Sequence, residues 1–282
     1  MRLASTALVL TALALPLHAE DMTVGFAVAK SGWMEAYDTP AATAAKIRID
    51  EINAAGGLLG RQIQVVEADT RTDRAESAKA GLDVLDQGAE MMVVSCDYDF
   101  GAPAALVAEG EGMNSFFLCA EDVKAGIQGV GPLSFSSSVL APVQGATMAE
   151  WAHAKREART AFVLEDTFIE YNKGICTGFN WMFPQLDGAE IVGTDTFKND
   201  DASIASQITR IKDLPEQPDV IMLCSVMPGA AAAVRQIRAA GIDSLILNGS
   251  AVDGSYWLDA TPDLSGFVVP VQGSIYGDDP RP

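Results

Sequence analysis

A short segment of the chain, residues 93–103 (VVSCDYDFGAP), brings a thiol, two carboxyl groups and two aromatic rings together directly after an apolar run. The residues that could do chemistry are Cys96, Asp97, Tyr98, Asp99 and Phe100. Four kinds of site would use such a segment: a nucleophilic cysteine, a metal site, a helix cap, or a loop that holds a ligand.

The scarcity of histidine argues against the first two. A cysteine nucleophile normally needs a histidine as its base, and a zinc site needs clustered cysteine or histidine ligands. The chain has 2 histidines, and only His153 lies outside the N-terminal leader. No CxxC, HExxH or GxSxG pattern occurs. We therefore expect no catalytic residue, no metal site and no cofactor, and do not expect an enzyme.

Asp99 fits a helix cap. An aspartate accepts hydrogen bonds from the free N–H groups at a helix start, and proline suits the first turn. Asp99 and Pro103 together predict a helix that begins near residue 103. Capping does not explain Asp97, so this loop is also a candidate for lining a ligand cleft.

The N-terminus and the charge of the chain indicate where it works. Residues 1–19 combine Arg2, an apolar run and the ending Pro-Leu-His-Ala, which is typical of an export signal. We predict cleavage after Ala19, a periplasmic location and no membrane insertion. The net charge of -19 repels phosphate backbones, so nucleic acid is not an expected partner.

The apolar pattern after residue 22 alternates short runs with longer helical patterns, which is typical of βα units that build a parallel sheet. Predicted strands cover residues 23–29, 62–68, 90–95, 115–119, 160–165, 190–194, 220–224 and 244–247. Predicted helices cover residues 40–54, 74–87, 103–111, 144–155, 172–184, 203–212, 230–240 and the surroundings of Tyr256. A left-handed glycine is expected to end the first helix, at Gly56 or Gly57.

Two segments, one from Val65 and one from Ile191, share the order strand, Asp-Thr, polar turn, helix, strand, cysteine. Asp69 corresponds to Asp195, and Cys96 corresponds to Cys224. Chance similarity between two βα units is the alternative. We interpret the match as two lobes of like topology, joined by extended stretches over residues 133–146 and from residue 265 onward.

Residues 24–70 (VGFAVAKSGWMEAYDTPAATAAKIRIDEINAAGGLLGRQIQVVEADT) resemble the start of periplasmic solute-binding proteins of the branched-chain amino acid and amide ABC transporters. The segments FSSSVLAPVQG and GFVVPVQGSIYG resemble the two hinge crossings of that family. The resemblance implies an α/β fold of two Rossmann-like lobes that close over a small ligand. It also implies an ABC permease as partner and a monomer.

On this resemblance the chain divides into a signal peptide (1–19), an N-terminal lobe (20–137), a C-terminal lobe (138–266), and a second hinge crossing with the start of an incomplete return to the N-terminal lobe (267–282). Family members usually continue back into the first lobe, so the chain is expected to be truncated.

The resemblance places the ligand at the strand ends. The first strand leads to the aromatic residues Trp33 and Tyr37, and Phe168 or Tyr171 is the expected lid of the second lobe. Asp253 is the expected partner of an α-ammonium group. The full set of predicted ligand-binding residues is Trp33, Tyr37, Asp97, Tyr98, Asp99, Ala120, Glu121, Tyr171, Ser225, Val226, Ser250 and Asp253.

Two acid pairs stand where the family has small hydroxyl residues that hold a carboxylate: Asp97 with Asp99, and Glu121 with Asp122. If both loops face inward, a ligand with a positive group is favoured. A solvent-facing Glu121 and a carboxylate bound by backbone N–H groups remain alternatives.

The four cysteines allow two disulfides in an oxidising compartment. Cys96 and Cys119 end strands that would be neighbours in a 2-1-3-4 order, close enough for a bridge. Cys176 and Cys224 are the second predicted pair, and buried free thiols are the alternative for both. The family resemblance implies the substrate-binding component of an ABC transporter for an amino-acid-like, amine or amide compound. A sensor domain of a receptor or amide-responsive regulator with the same fold is the alternative.

Overall fold

The computed structural model describes residues 20–255, 257–261 and 264–273. The predicted leader with its cleavage site, Tyr256 and the chain beyond residue 273 lie outside the described residues. Within the described ranges, short strands alternate with longer helices, and the strands form two parallel sheets of five strands each.

The first sheet is built by the N-terminal half of the chain. Its strands are β1 (Met22–Val28), β2 (Ile63–Asp69), β3 (Met91–Val94), β4 (Ser115–Phe117) and β5 (Ser134–Phe135). They lie in the order β2-β1-β3-β4-β5, and every neighbouring pair is parallel. The connecting helices are α1 (Glu35–Ala54), α2 (Arg74–Asp86) and α3 (Tyr98–Gly110). We call this half the first lobe.

The second lobe repeats the plan. Its strands are β6 (Thr160–Asp166), β7 (Glu190–Phe197), β8 (Val220–Cys224), β9 (Leu245–Leu247) and β10 (Phe267–Val268). Its helices are α4 (Ala141–Arg156), α5 (Glu170–Met182), α6 (Ala205–Lys212) and α7 (Gly229–Ala239). The strand order β7-β6-β8-β9-β10 is that of the first sheet when β6 is equated with β1, so the predicted repeat is confirmed.

Two helices begin five residues earlier than predicted. α1 begins at Glu35 and α3 at Tyr98, so Pro40 and Pro103 lie inside helices instead of opening them. Each proline stands near the start of its helix, where it removes a single backbone hydrogen bond that the rest of the helix tolerates. The prediction that Asp99 caps a helix at residue 103 is therefore wrong: Asp97 holds the N-cap position, and Asp99 lies in the first turn.

The end of α1 follows the sequence prediction. Gly56 has φ of 107° and Gly57 has φ of 83°, a left-handed backbone that glycine adopts without steric cost. The chain then turns at Arg61 into β2, and Asn53 on α1 exchanges two hydrogen bonds with the backbone of Ile63. The glycine pair therefore fixes the connection between the first helix and the second strand.

Helices α4 and α5 pack against each other through glycine. A Cβ atom on Gly178 would lie 1.8 Å from the carbonyl oxygen of Pro142, and one on Gly145 would lie 2.0 Å from that of Ile175. No larger side chain fits at these positions, so the chain that enters the second lobe at α4 is held at a fixed distance from α5. Among the residues that the structure describes, no helix has the length and apolar character needed to cross a bilayer.

Candidate functional site

A cavity of about 450 Å³ lies where the loops after the strands of the two sheets meet. Ligands of open α/β sheets bind at this carboxyl edge of the strands, and the volume suits a small molecule. Eight of the predicted ligand-binding residues line it: Trp33, Tyr37, Asp97, Glu121, Tyr171, Val226, Ser250 and Asp253. We call it the interlobe cavity.

Asp38 fixes the first-lobe wall of the cavity. Its side chain is fully buried, and its two carboxyl oxygens accept hydrogen bonds from the backbone N–H groups of Ala29 (2.6 Å) and Cys96 (2.8 Å). Burial raises the pKa of Asp38, and the two backbone donors oppose that rise. One side chain thereby holds together the loops that follow β1 and β3.

Asp97 is the most deeply buried acid of the cavity wall. It is 6% exposed, makes no side-chain capping hydrogen bond, and its Oδ1 atom has no hydrogen-bond partner among the described residues. Burial, followed by the nearby charges of Asp99 and Asp122, raises the pKa of Asp97 well above its ordinary value. An acceptor in this position is suited to a donor that a ligand brings.

Glu121 connects the two lobes. Its Oε1 atom accepts a hydrogen bond of 2.7 Å from the hydroxyl of Ser250 and one of 2.5 Å from the side-chain amide of Gln272. Glu121 follows β4 and Ser250 follows β9, which hold the same place in the two sheets. Burial raises the pKa of Glu121, and these hydrogen bonds oppose the rise. The predicted inward placement of Glu121 is what the structure shows.

A second polar network lies beside it. The side-chain oxygen of Gln144 on α4 accepts from the Tyr171 hydroxyl at 3.1 Å and from the backbone N–H of Ser250 at 2.9 Å. The Tyr171 hydroxyl accepts in turn from the backbone N–H of Ala251. Tyr171 is buried, and its ring forms part of the cavity wall.

Aromatic rings meet across the mouth of the cavity. The ring of Trp33 lies 6.0 Å from Tyr37 and 5.5 Å from Phe100, both in the first lobe, and both contacts are edge-on. Phe168 of the second lobe approaches Trp33 at 5.6 Å. Trp33 therefore contacts both lobes, and aromatic pairs of this geometry contribute about 0.5–1.5 kcal/mol beyond their buried area.

A cluster of charges joins the lobes outside the cavity. The Lys124 ammonium pairs with Glu170 at 2.6 Å, and the backbone N–H of Glu170 donates to the Asp99 carboxylate at 2.8 Å. Asp122 is buried beside them, and burial together with the charges of Asp99 and Glu170 raises its pKa to about 7.

Both predicted cysteine pairs are disulfides in the structure. The Cys96–Cys119 bridge joins the loops after β3 and β4, and the cavity wall includes both residues. The Cys176–Cys224 bridge ties α5 to the end of β8 inside the second-lobe core. The first bridge thus connects the loop of Asp97 to that of Glu121.

Four of the predicted residues do not reach the cavity wall. Tyr98 turns toward Lys124, whose ammonium lies 6.0 Å from the ring. Asp99 forms an ion pair with Arg74 and accepts a hydrogen bond from the backbone N–H of Glu170. Ala120 is buried in the core of the first lobe. Ser225 is fully buried and donates to Asp166 at 2.8 Å. The position of Tyr98 and Asp99 on α3, the core packing of Ala120 and the hydrogen bond of Ser225 to a buried carboxylate thus keep these side chains out of the cavity wall.

The comparison of this sequence with protein families agrees with the geometry. The sequence profile of the periplasmic binding protein family matches residues 21–282, nearly the whole chain. The chain belongs to the periplasmic binding protein family. The predicted family and the predicted fold of two Rossmann-like lobes are confirmed.

Individual relatives of this periplasmic binding protein are distant. The Leu/Ile/Val-binding protein of Escherichia coli K12 is 23% identical over 234 residues, which are 83% of this chain and 62% of that protein. A Leu/Ile/Val-binding protein of Rhizobium johnstonii is 24% identical over 257 residues, which are 90% of this chain and 68% of the relative. The chain thus spans about 62% of the length of the Escherichia coli relative.

A solved structure has the same fold. The branched-chain amino acid transporter substrate binding protein of Streptococcus pneumoniae, in complex with isoleucine, is similar to this chain with a TM-score of 0.75 and 26% identity. The similarity covers 85% of this chain and 67% of that one.

Several cavity residues of this periplasmic binding protein were not predicted from its sequence. Met34, Ala36, Pro40 and Ala41 line the cavity because α1 begins one turn earlier than the proline indicates. The others are Cys96, Cys119, Ile169, Ala251, Gly254, Gln272 and Gly273. The sequence could have indicated the first group, because the residues from Met34 to Pro40 are compatible with a helix that starts at residue 35.

Proposed function

We propose that this chain is the substrate-binding component of an ABC transporter, which binds an amino-acid-like, amine or amide small molecule in the interlobe cavity. The observation that carries this is the bond between Glu121 and Ser250, which closes the cavity between two lobes of like topology. Two lobes that face each other across a ligand-sized cleft are suited to hinged closure. The Leu/Ile/Val-binding relatives support the same role.

The proposed ligand contacts follow from the cavity wall. Trp33 and Tyr37 provide an aromatic surface, and Tyr171 and Val226 form the opposite side. Asp97 and Glu121 provide buried acceptors, with Asp253 as a more exposed carboxylate. Few polar groups in a mostly apolar pocket orient a ligand and provide specificity.

The setting of the protein is part of the proposal. The chain is exported to the periplasm with its leader removed after Ala19, works as a monomer and delivers its ligand to a permease in the inner membrane. It acts by binding and not by catalysis, without a cofactor or nucleic acid. We propose lobes over residues 20–137 and 138–266, with a second hinge crossing and the start of a return to the first lobe over residues 267–282.

Thermal unfolding of the purified full chain tests the proposal, with a panel of branched-chain amino acids, amides, polyamines and quaternary amines. A ligand present at a hundredfold excess over its Kd stabilises the folded state by about 2.7 kcal/mol, a rise in Tm of several degrees. At least one compound is expected to produce such a rise, and its effect is expected to fall in a Ser250→Ala variant. No rise with any compound contradicts the proposal.

A further inference from the structure

The charge balance of the interlobe cavity is one-sided. Among the described residues that line it, Asp97, Glu121 and Asp253 carry carboxyl groups, and none is Lys, Arg or His. A cation beside such carboxyl groups favours their ionised forms, so this wall is suited to a ligand with a positive charge.

Nearby cations are already engaged. The Lys124 ammonium pairs with Glu170, and the Arg74 guanidinium pairs with Asp99, and neither base lines the cavity. The carboxyl groups that face the cavity therefore have no ion-pair partner among the described residues.

Three of the polar side-chain donors that line the cavity are directed to protein acceptors. The Ser250 hydroxyl and the Gln272 amide donate to Glu121, and the Tyr171 hydroxyl donates to Gln144. A ligand carboxylate needs donors, and these donors already have acceptors. The carboxyl groups of Asp97 and Asp253 line the cavity beside them as acceptors.

The second, independent observation is Asp97. This side chain is more than nine-tenths buried, lines the cavity, and its Oδ1 atom has no hydrogen-bond partner among the described residues. A buried carboxyl oxygen without a donor costs free energy; the backbone N–H groups of Asp99 and Phe100 reduce that cost for this carboxyl group in part, and an N–H group or an ammonium charge on a ligand reduces it further. The unsatisfied atom thus indicates a cationic ligand group on its side of the cavity.

The remaining walls are aromatic and apolar. Trp33 and Tyr37 lie on one side, and Pro40, Ile169 and Val226 complete the apolar surface. Organic cations bind well where aromatic rings lie beside a carboxylate, because the ring face is electronegative. Within residues 20–255, 257–261 and 264–273, no group of His, Cys, Asp or Glu side chains is arranged to hold a metal ion, which favours an organic cation.

We propose that the interlobe cavity is selective for a small organic cation, whose ammonium group lies beside Asp97 and Glu121 and whose apolar body lies against Trp33 and Tyr37. The inference rests on the proposed function, because it names the ligand class of that same cavity. It distinguishes this chain from relatives described as binding leucine, isoleucine and valine.

Titration calorimetry of the purified full chain tests the inference with matched pairs of probes. Choline is compared with neohexanol, in which carbon replaces the charged nitrogen, and lysine is compared with norleucine; putrescine and leucine complete the set. We expect at least one of choline, lysine and putrescine to bind, and choline or lysine to bind at least about tenfold more tightly than its partner without the extra charge. Tight binding of leucine or norleucine without binding of any cation overturns the inference and leaves the proposed function standing. No binding by any of these probes overturns the inference, and the thermal-unfolding panel, which also includes amides, then decides the proposed function.

Variants locate the charge that the cation uses. Asp97→Asn is expected to weaken binding of the cation by about tenfold or more, because the amide keeps the shape but cannot ionise to pair with the ammonium group. Asp50→Asn on the exposed face of α1 makes the same change in net charge and is expected to leave binding unchanged. Glu121→Gln provides a second test if circular dichroism shows that Asp97→Asn does not fold. Unchanged cation affinity in the folded variants overturns the inference.

Discussion

The hydroxyl of Ser250 in the second lobe donates a hydrogen bond of 2.7 Å to the carboxyl group of Glu121 in the first lobe. The two residues follow β9 and β4, which hold equivalent places in their sheets. The repeat that organises the chain therefore also supplies the contact that closes the cleft. Contacts of this kind exist only while the lobes are together, so they set the balance between open and closed forms.

The first prediction concerns this contact. Ser250→Ala removes the donor to Glu121 and is expected to favour the open form, because the closed form loses one charge-assisted hydrogen bond of about 1.5–3 kcal/mol. Ligand affinity is expected to fall by about tenfold or more while the urea midpoint stays close to wild type. Calorimetry measures the affinity, and small-angle scattering with ligand present measures the radius of gyration. An unchanged affinity would show that the bond does not contribute to closure.

The second prediction concerns Asp122, whose pKa is raised from its ordinary value of 3.8 to about 7. Burial and the charges of Asp99 and Glu170 cause the rise, with a smaller contribution from Glu121, and Lys124 opposes it. The folded protein therefore keeps a proton that the unfolded chain loses, so stability falls as the pH rises from about 4 to about 7.

An Asp122→Asn variant lacks this titration. At about pH 8 we expect it to be more stable than wild type by about 1–3 kcal/mol, with the difference shrinking toward about pH 4. Urea unfolding at several pH values measures the difference, and Asp50→Asn is the control for net charge. Parallel pH profiles for wild type and Asp122→Asn would contradict the burial of this carboxyl group.

The third prediction concerns the disulfide in the second-lobe core. Cys176 and Cys224 are separated by 48 residues, so their bridge restricts a long loop in the unfolded chain. The double variant Cys176→Ala/Cys224→Ala is expected to lose about 2–4 kcal/mol of unfolding free energy. Urea unfolding with and without a reducing agent measures the loss. If the reducing agent shifts the wild-type midpoint no more than that of the variant, this bridge does not stabilise the lobe.

The fourth prediction concerns Trp33, whose ring contacts both lobes. The ligand that gives the largest thermal shift is expected to change the tryptophan fluorescence of the wild-type protein, because Trp33 lines the cavity. Trp33→Phe is expected to remove most of that change. Trp181, which is 64% exposed, provides the matched control, since Trp181→Phe should keep it. A ligand-dependent change that survives in Trp33→Phe would place the ligand elsewhere.

Much of the fold follows from the sequence, for a physical reason. β8 is buried along its whole length, so its continuous apolar run gives the observed bounds Val220–Cys224. The starts of α1 and α3 were placed too late, because a proline near a helix start is compatible with both the first turn and the second. Local signals do not separate these two positions.

The site was predicted less completely, because its contacts are distant in sequence. The hydrogen bond between Gln272 and Glu121 joins residues 151 positions apart in the sequence, and that between Asp38 and Cys96 joins residues 58 positions apart. No local pattern carries such pairings. Ser225 lies at a strand end as expected, but its hydroxyl donates a hydrogen bond to the buried carboxylate of Asp166 and does not face the cavity. Which face of a loop reaches the cleft depends on neighbours from other elements.

The central claim is that the interlobe cavity binds the ligand. A crystal structure of the full chain, grown with the compound that gives the largest thermal shift, tests it most directly. We predict density for that compound between the two sheets, within hydrogen-bond distance of Asp97 or Glu121 and against the ring of Trp33. Density for the compound at another surface, with this cavity occupied by solvent alone, would contradict the claim.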